Sequence, residues 1–420
     1  MGPNQKVIII GAGPAGLIAA LRLQQRNHIS SVVYELREEP TTLGGAIGIP
    51  SNGLRLLHRL GLYDELRSRG AETSNLVLHG MKGNVVGNTN LTSWSKEKTG
   101  FGYLRIRRTC LMEVLYNAAK SASIVIHHGM RLVAISEDTK GVTVQFEDGT
   151  TDTADLLLGC DGIHSAVRKL YVDPDTSPEY SGLSTVFSLL PTSGLPRAAT
   201  TLDGLNATLT TNGLLALTPC GGAQPMLYWF FSWQLAMPPD SNTRDGWEQR
   251  GKHEVEALKS TLLDLVKDSK DEWGELLREI INQTEVVKFY PVFRMSLGGK
   301  WSRGRCLIIG DAAHAMQPHA SQGVSMALED VFLLSKLLDS SGRSLSEVFA
   351  LYDKKRRPRT DEMSRTAERN GNMRKKTDPW RLWLQECAIS GALGVYHLCR
   401  LDKLGLGQKP LAYDVEEEDV

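Results

Sequence analysis

The feature that most constrains the fold is a glycine-rich turn near the start of the chain. Lys6–Ile10 is a short β-branched run that leads into Gly11-Ala12-Gly13-Pro14-Ala15-Gly16, and a helix is predicted over Ala15–Gln25. A second apolar run, Ser31–Tyr34, ends at the acid Glu35. A strand, a glycine-rich turn, a helix and a second strand in this order predict a parallel β-α-β unit.

The spacing G-x-G-x-x-G predicts that this turn binds a dinucleotide. Gly11, Gly13 and Gly16 permit a tight turn and let backbone N–H groups approach a pyrophosphate at the positive end of the helix. Glu35, about twenty residues further on, can accept hydrogen bonds from an adenosine ribose. The alternative is a glycine-rich strand-to-helix turn without a ligand.

Length, charge and cysteine usage restrict the class of protein. A chain of 420 residues exceeds what one hydrophobic core supports, so two domains are expected. The 48 basic and 48 acidic residues balance, which gives no electrostatic reason to expect nucleic acid or an anionic membrane and favours a small neutral or apolar ligand. The six cysteines form no C-x-x-C pair, so no metal site is predicted, and we interpret them as reduced core thiols of a cytoplasmic protein.

Hydrophobic periodicity divides the chain into two kinds of region. Apolar residues recur at helical spacing over Gly53–Leu66 and Arg108–Lys120. After about Asp173 the pattern becomes that of antiparallel strands, and a long helix is predicted over Arg250–Asn282. The predicted strands of this region are Ser184–Leu190, Asn206–Leu217, Met226–Gln234 and Val286–Phe293. Past Arg305 the first pattern returns, so an antiparallel-sheet insertion interrupts one domain.

The C-terminal part of the chain contains three further segments. Lys354–Arg359 is a basic run in which Pro358 is predicted to end a helix, with a nuclear-localisation signal as the alternative. Ala388–Cys399 is apolar but shorter than the about 20 residues of a membrane span, which leaves burial, an oligomer contact or attachment to a membrane surface open. Glu416–Asp419 is predicted to be a solvated, disordered end.

Two later motifs decide between FAD and NAD. Asp161-Gly162-Ile163-His164-Ser165-Ala166-Val167-Arg168 has the form D-G-x-x-S-x-V-R. Gly310-Asp311-Ala312-Ala313-His314 is followed by Pro318, Gln322-Gly323 and Glu329-Asp330. Together with the N-terminal turn, these motifs resemble those of the class A FAD-dependent monooxygenases, the family of para-hydroxybenzoate hydroxylase and salicylate hydroxylase. The resemblance covers about residues 6 to 360.

The resemblance implies that FAD is the bound cofactor. By position in the motifs, Asp311 binds the ribityl chain and Arg108 reaches the pyrophosphate, which suits its fixed fork of donors. The segment from Pro318 lies against the isoalloxazine, and the helix that begins near Gly323 and Val324 is directed at the pyrimidine edge of the ring. A helix N-cap is the alternative role for Asp311.

Three other positions follow from the same resemblance. Ala46 lies in the flavin-proximal loop Gly44–Asn52, where close backbone approach is expected. The family motif around Asp161 serves both FAD and NAD(P)H binding, and a purely structural turn is the alternative. Ser321 stands where many relatives have glycine, which reduces the backbone freedom of the flavin loop.

The predicted fold class is α/β: a Rossmann-like FAD-binding domain with a parallel sheet, interrupted by an antiparallel-sheet α+β substrate domain and followed by a C-terminal helical segment. The FAD-binding domain is assigned to residues 1–76, 103–175 and 291–375, and the substrate-binding domain to 77–102 and 176–290. Residues 376–420 form the C-terminal helical segment and the acidic tail.

The resemblance implies an FAD-dependent monooxygenase that uses NADH or NADPH and O2 to hydroxylate an electron-rich aromatic or related small molecule through a flavin C4a-hydroperoxide. A phenolic substrate gains from a base or hydrogen-bond acceptor, for which Tyr228, His319 and Tyr290 are candidates; packing or a surface position is the alternative for each. Two other functions stay open, a flavin-dependent epoxidase or oxidase of an alkene, indole or isoprenoid and a non-catalytic flavin-fold binding module. A cytoplasmic monomer or homodimer is expected, without nucleic acid or stable membrane insertion.

Overall fold

The structure, a computed structural model, describes residues 5–40, 44–236, 255–339 and 342–419. Its strands are β1 Lys6–Ile10, β2 Ser30–Tyr34, β3 Ala46–Ile49, β4 Ala71–Glu72, β5 Asn75–His79, β6 Val85–Asn90, β7 Leu104–Arg107, β8 Val125–His127, β9 Leu132–Glu137, β10 Val142–Phe146, β11 Thr151–Ala154, β12 Leu156–Gly159, β13 Glu179–Pro191, β14 Leu205–Leu209, β15 Gly213–Cys220, β16 Met226–Gln234, β17 Lys288–Arg294, β18 Ser302–Arg303 and β19 Cys306–Ile308. Its α-helices are α1 Pro14–Asn27, α2 Ser51–Arg59, α3 Tyr63–Arg69, α4 Ser93–Thr99, α5 Arg108–Ser121, α6 Arg197–Thr200, α7 Val255–Leu265, α8 Glu272–Gln283, α9 Asp311–His314, α10 Gly323–Asp339, α11 Leu345–Asn372 and α12 Pro379–Leu398. A π-helical turn covers Arg168–Val172, and 3-10 turns cover Pro318–Ala320, Leu401–Leu404, Lys409–Ala412 and Val415–Glu417.

A six-stranded sheet contains the N-terminal β-α-β unit, in the order β18-β19-β12-β1-β2-β8. The strands from β19 to β8 are parallel, and β18 pairs antiparallel with β19. The central strands β1 and β12 are buried along almost their whole length, as the continuous apolar runs of a parallel sheet require. The parallel sheet predicted from the glycine-rich turn is confirmed.

The predicted antiparallel insertion is also confirmed, as a seven-stranded sheet in the order β17-β13-β16-β15-β14-β5-β6. Side chains of β16 alternate between its two faces. Trp229 and Phe231 pack against α7 and α8 on one face. Tyr228 and Phe230 lie on the opposite face, where Phe187 of the paired strand β13 joins them.

A three-stranded sheet, β3-β7-β4, lies between these two units. Its register places Ala46 opposite Arg107 and Gly48 opposite Arg105. Directly opposed residues share a face of an antiparallel pair, so these four residues lie on one face. That face is turned toward the seven-stranded sheet, because the Arg107 guanidinium donates to the Gln224 side chain between β15 and β16.

Three predicted elements are divided in the structure. The helix predicted over Gly53–Leu66 is two helices, α2 and α3, because Gly61 at φ 76° adopts the left-handed conformation that ends a helix. The strand predicted over Asn206–Leu217 is the hairpin of β14 and β15. The helix predicted over Arg250–Asn282 is α7 and α8 in its described part, and residues 250–254 lie outside the described residues.

The prediction that Pro358 ends a helix is wrong, because α11 continues through it to Asn372. Proline removes one backbone hydrogen bond from a helix and crowds the preceding turn. Here Arg356 and Arg359 are buried and form ion pairs with Glu329 of α10, which ties the turns around the proline to the protein core. Arg356 and Arg359 of the basic run therefore make contacts inside the protein.

The prediction of a disordered acidic tail is also wrong for the described residues. The Asp414 carboxylate accepts hydrogen bonds from Arg55 and Arg59 of α2. Burial opposes its ionisation, but these two arginines outweigh burial and lower the pKa of Asp414 to about 2. Glu416 forms an ion pair with Arg22 of α1. The tail is bound to the first helices of the chain by charge pairs that the negative run alone did not reveal.

The helix α12 includes the apolar stretch Ala388–Cys399 except for Cys399, its C-cap, and Leu382 is the one buried residue of the helix. Cys387 and Cys399 are exposed on it, so the prediction of six core thiols is wrong for these two, while the other four cysteines are buried. No helix in the described ranges is long and apolar enough to cross a membrane.

Candidate functional site

The three glycines of the N-terminal turn have different surroundings. A Cβ added to Gly11, at φ 103°, would lie 2.6 Å from the Cys160 carbonyl oxygen, and one added to Gly16 would lie 1.9 Å from the Gly11 carbonyl oxygen. A Cβ added to Gly13, directly before α1, would meet no atom within 4 Å. Gly11 and Gly16 therefore allow close backbone packing, and Gly13 leaves room for a phosphate beside the helix N-terminus, as in dinucleotide-binding turns.

The Glu35 carboxylate is bonded to this turn. Its Oε2 accepts a hydrogen bond from the backbone N–H of Ala12 at 2.8 Å, and Oε1 accepts from the Arg37 N–H at 3.1 Å. The side chain is half-buried at the end of β2. A carboxylate oxygen accepts more than one hydrogen bond, so Glu35 retains capacity for a ribose hydroxyl while it holds the turn in place.

The three motifs meet at one end of the parallel sheet. Gly11 packs against Cys160, which directly precedes the second motif. A Cβ added to Gly310 of the third motif would lie 3.2 Å from the Ala15 side chain of the first. The buried Arg168 guanidinium connects the second and third motifs, because it donates to the Ala312 carbonyl at 2.7 Å. The spacing of these motifs along the chain therefore corresponds to contact in space.

Asp161 has a structural role in this turn. Its Oδ2 accepts hydrogen bonds from the backbone N–H groups of Ala166, at 2.6 Å, and Val167, at 3.2 Å. Its Oδ1 is buried and has no partner among the described residues. Burial raises the pKa of this carboxyl above its usual range, although the Ser165 side chain and the backbone donors oppose the shift. A purely structural turn therefore explains the bonds of Oδ2, whereas Oδ1 stays available for a ligand.

Asp311 and Arg108 lie near each other at the open side of this region. Both side chains are exposed, and the Arg108 guanidinium has no ion-pair partner in the described part of the chain. Gly310, not Asp311, is the N-cap of α9, and no side chain caps that helix. Protein surrounds the cleft onto which Asp311 opens, and this desolvation raises the pKa of its carboxyl against the opposing charges of His314 and Arg108. An unpaired guanidinium and an uncommitted carboxylate fit a pyrophosphate and ribityl hydroxyls respectively.

A buried hydrogen-bond network fixes the flavin loop. The Asn52 side-chain amide donates to Gln322 Oε1 at 3.0 Å and to Glu329 Oε1 at 2.8 Å. These bonds join the end of the Gly44–Asn52 loop to the residue directly before α10, which begins at Gly323. Ser321 has φ 53°, a left-handed conformation that costs a non-glycine residue free energy.

Asp330 organises the neighbouring turn. Its Oδ2 accepts from the Gly310 N–H at 2.9 Å and contacts His314 Nε2 at 2.7 Å, and its Oδ1 accepts from Arg356 at 2.9 Å. Burial opposes the charge of Asp330, yet His314 and Arg356 hold the pKa of this carboxyl well below its usual range. A fully buried ion pair therefore supports the backbone next to Asp311.

The flavin-proximal loop touches the aromatic face of the seven-stranded sheet. A Cβ added to Gly45 would lie 2.7 Å from the Tyr228 ring and 3.1 Å from the Phe187 ring. Ala46, next along the chain, begins β3. Tyr228 is 8% exposed, and burial raises the pKa of its phenol, so it is protonated at neutral pH and able to donate a hydrogen bond.

The structure does not bring the three catalytic candidates together. Tyr228 lies against Gly45, whereas Tyr290 is on the edge strand β17 and is 51% exposed. His319 lies on the flavin loop and contacts α11, where its carbonyl accepts from Asn370. Burial and the Arg374 charge lower the pKa of His319 to about 2, so its imidazole is neutral at physiological pH.

A cavity of about 360 Å³ lies elsewhere, on the other face of the seven-stranded sheet. Phe231, Trp233 and Phe289 line it together with residues of α7. The sheet separates this cavity from the face that carries Tyr228, because neighbouring residues of β16 point to opposite sides. We therefore do not assign the reaction to it.

Several important residues had no predicted role. Asn52, Glu329, Asp330 and Arg356 form the buried network, and Arg168 connects two motifs. A sequence signal existed for the acids, since two adjacent carboxylates within an apolar helix need buried partners. Their partners could not be identified, because nothing local distinguishes Arg356 from the other basic residues of its run.

Comparison with known proteins agrees with this arrangement. The chain matches the FAD binding domain family over residues 4–272 and 285–367. A 6-hydroxynicotinate 3-monooxygenase of Pseudomonas fluorescens is 26% identical over 382 residues, covering 90% of this chain and 94% of that protein. A 3-amino-4-hydroxybenzoate 2-monooxygenase of Streptomyces platensis is 30% identical over 368 residues, covering 87% and 88%. The structure of Klebsiella pneumoniae HpxO complexed with FAD and uric acid has a TM-score of 0.81 at 22% identity and covers 98% of both chains, which shows a shared fold.

The family match extends over both large sheets and includes all three motifs. The curated relatives match this chain over most of its length and of their own. The residues present at the meeting point of the motifs fit FAD, because they offer an open glycine turn and unpaired polar groups. The chain therefore belongs to the FAD binding domain family and is an FAD-dependent monooxygenase of class A.

Proposed function

We propose that this enzyme uses NADH or NADPH and O2 to hydroxylate an electron-rich aromatic ring at the aromatic face of the seven-stranded sheet, beside the contact between Gly45 and Tyr228. The contact between the flavin-proximal loop and an aromatic wall of the substrate sheet carries this proposal. Phe187, Tyr228 and Phe230 form that wall, with ring centroids 5.8 and 5.6 Å apart in successive pairs. Both curated relatives are named for hydroxylated aromatic compounds, which supports the same substrate type.

The proposed cofactor contacts follow from the geometry at the motifs. Gly13 and Arg108 would hold the pyrophosphate, Glu35 the adenosine ribose and Asp311 the ribityl chain. Ala46, Asp161, Gly323 and Val324 would border the flavin or the reductant. Bound FAD supplies the electron transfer and oxygen activation. We assign the FAD-binding unit to residues 1–76, 103–175 and 291–375, and the substrate unit to 77–102 and 176–290, with 376–420 attached to both.

The protein's own side chains bind and orient the substrate and exclude water. An aromatic ring packed against Phe187 and Tyr228 is held by stacking and by loss of exposed apolar area. The neutral Tyr228 phenol donates a hydrogen bond to an oxygen on the ring, and the neutral His319 keeps the flavin loop free of additional charge. Positioning and water exclusion are the protein's main contributions to this type of reaction.

The direct test uses purified protein loaded with FAD. We expect one class among phenols, anilines, indoles and isoprenoid alkenes to accelerate NADH or NADPH oxidation, with a product heavier by one oxygen atom. A phenol or aniline product supports the proposal, and an epoxide from an alkene favours the epoxidase alternative. Oxidation that no compound accelerates, without an oxygenated product, would contradict both and favour a binding module.

We also propose that the enzyme is a cytoplasmic homodimer joined through α12. Its exposed apolar residues are Trp380, Trp383, Leu384, Val395 and Leu398, followed by Leu404 and Leu406. Together they expose an area on the order of 800 Å², about one partner's share of a standard protein interface. The inner face of α12 is apolar as well, and a helix that is apolar on all sides is normally buried. Four buried free cysteines suit a reducing compartment.

A further inference from the structure

Two arginines of α2 depend on a single carboxylate in the C-terminal tail. The Arg55 guanidinium donates to Asp414 Oδ2 at 2.7 Å, and Arg59 donates to both carboxylate oxygens at 2.6 Å. The Asp414 side chain is 3% exposed, and within the described residues neither arginine forms an ion pair with another acid. Removal of Asp414 would therefore leave two neighbouring cations of α2 without a counter-charge.

The same side of α2 carries Asn52, the last residue of the flavin-proximal loop. Residues three and four positions apart lie on one side of a helix, so Asn52, Arg55 and Arg59 follow one another along it. Asn52 is 1% exposed, and its amide donates to Gln322 and Glu329. The charges that hold α2 and the amide that holds the flavin loop therefore lie on one stripe of this helix.

The tail reaches the partner of Asn52 by a second route. The Arg359 guanidinium of α11 pairs with Glu329 at 3.2 Å. It also donates to the Pro410 carbonyl at 2.7 Å, and its central carbon lies 4.7 Å from the centroid of the Tyr413 ring. These contacts close a ring of four segments, which are the start of α2, α10, α11 and the tail. Because the ring is closed, a shift of the tail moves α2 relative to α10.

We propose that Asp414 is a positioning residue for the flavin half of FAD, because it fixes α2 and, through Asn52, the flavin-proximal loop. The inference rests on the proposed place of the flavin ring beside this loop. The adenosine half belongs to a different part of the chain, the turn with Gly13 and Glu35. Asp414 therefore acts on the flavin end of the cofactor and leaves the adenosine end unchanged.

A second charge pair of the tail supplies a matched control. Glu416 pairs with Arg22 and Arg26 of α1, the helix that begins at the glycine-rich turn. Loss of this pair acts on the helix at the pyrophosphate and adenosine half, which FAD and ADP have in common. Glu416→Gln should therefore change the affinities for FAD and ADP by the same factor.

The test compares the binding of FAD and ADP to the full-length apo-protein by calorimetric titration. FAD probes the whole site, and ADP probes the adenosine and pyrophosphate end alone. Asp414→Ala should weaken FAD by roughly 3- to 30-fold, the range for residues that couple two parts of a fold, and leave ADP within about twofold. Asp414→Asn keeps the side-chain volume and one acceptor oxygen, so it is used if the alanine variant does not fold, and it should weaken FAD by a smaller factor.

The absorption spectrum of bound FAD adds a readout at the flavin ring itself. In Asp414→Ala saturated with FAD, the flavin bands should shift because the ring is held less firmly, whereas Glu416→Gln should keep the wild-type spectrum.

Unchanged FAD affinity in Asp414→Ala, or equal weakening of FAD and ADP with a wild-type spectrum, would show that Asp414 supports the fold alone and would overturn the proposal. If the predicted effects on FAD are found but no compound gives an oxygenated product, the role of Asp414 stands and the proposed hydroxylation fails.

Discussion

Asp311 is the residue whose change separates cofactor binding from folding. Its carboxylate is exposed and caps no helix, so Asp311→Ala should leave the melting temperature of the apo-protein within about 1 °C of wild type. Loss of its proposed bonds to flavin hydroxyls should weaken FAD binding by roughly 5- to 150-fold. FAD affinity is measured by flavin fluorescence titration, with the exposed Asp175→Ala as control. Unchanged affinity would remove Asp311 from the flavin site.

The lowered pKa of His319 makes the stability of the folded protein depend on pH. Its pKa is lowered to about 2 in the folded protein, whereas an unfolded histidine titrates near 6.5. The unfolded state therefore gains a proton first as pH falls, and stability present above about pH 6.5 is lost progressively below it. His319→Asn should reduce the stability difference between pH 6.5 and 5.0 by up to about 2 kcal/mol.

Chemical denaturation at the two pH values measures this effect. The control is His28→Asn, because His28 is exposed and asparagine tolerates its φ of 55°. Equal pH dependence in wild type and His319→Asn would mean that His319 has the same pKa in the folded and unfolded states. That result would also return it to consideration as a proton-transfer group at neutral pH.

At the scale of elements, α10 and α11 are held together by buried charge. Arg356 bonds Glu329 and Asp330, all three fully buried, and these acids in turn hold Asn52 and the Gly310 turn. Removing one partner of a buried pair leaves an uncompensated charge, so Arg356→Met should cost about 3–5 kcal/mol of unfolding free energy. The affinity for FAD should fall as well, because Glu329 and Asp330 hold Asn52 and the Gly310 turn in place.

The matched control is on the same helix. Arg365 pairs with Asp361 at 3.7 Å and its side chain is 56% exposed, so Arg365→Met should cost less than about 1 kcal/mol. Urea unfolding of the apo-proteins compares the two variants. Similar losses in both would show that burial of the Arg356 pair adds nothing to stability.

Elements were predictable from sequence where local chemistry determines them. The strands β1 and β16 have the predicted bounds, because their apolar patterns are flanked by glycine or polar turns. The break between α2 and α3 at Gly61 and the continuation of α11 through Pro358 were not predicted. The first depends on one glycine among helix-compatible residues, and the second on ion pairs with a helix that precedes it in the chain.

The residues of the candidate site likewise include some that the sequence indicates and some that it does not. Gly13 and Glu35 follow a spacing imposed by a phosphate and a ribose, so both could be selected from the sequence, whereas Asp311 was selected through the resemblance to the family. Arg356 could not be selected, because a sequence does not show which arginine of a basic run meets the buried carboxylates of Glu329 and Asp330. Tyr228 was one of three equal candidates until its contact with Gly45 placed it beside the flavin-proximal loop.

At the scale of the whole molecule, the proposed dimer makes association depend on one helix. Trp383 is 62% exposed at the outer face of α12. Trp383→Asp should convert a two-chain particle into a single chain with FAD retained, because a charge at an apolar interface is unpaired on association. Analytical ultracentrifugation at micromolar concentration measures the mass, with Leu297→Asp, at an exposed apolar position off this helix, as control.

Two other results would contradict this assignment. A single-chain wild-type particle that sediments with anionic vesicles would assign α12 to a membrane surface. A wild-type dimer that survives Trp383→Asp would place the interface elsewhere on the molecule.

The bound tail also has a consequence for biosynthesis. Arg22, in the helix that follows the glycine-rich turn, is paired with Glu416, and the two residues are 394 positions apart. On the ribosome, α1 and α2 are therefore completed early but wait for Asp414 and Glu416 to emerge before their charge pairs can form. The contacts that hold α1 and α2 in place are therefore completed only after Glu416, 394 positions beyond Arg22, has been synthesised.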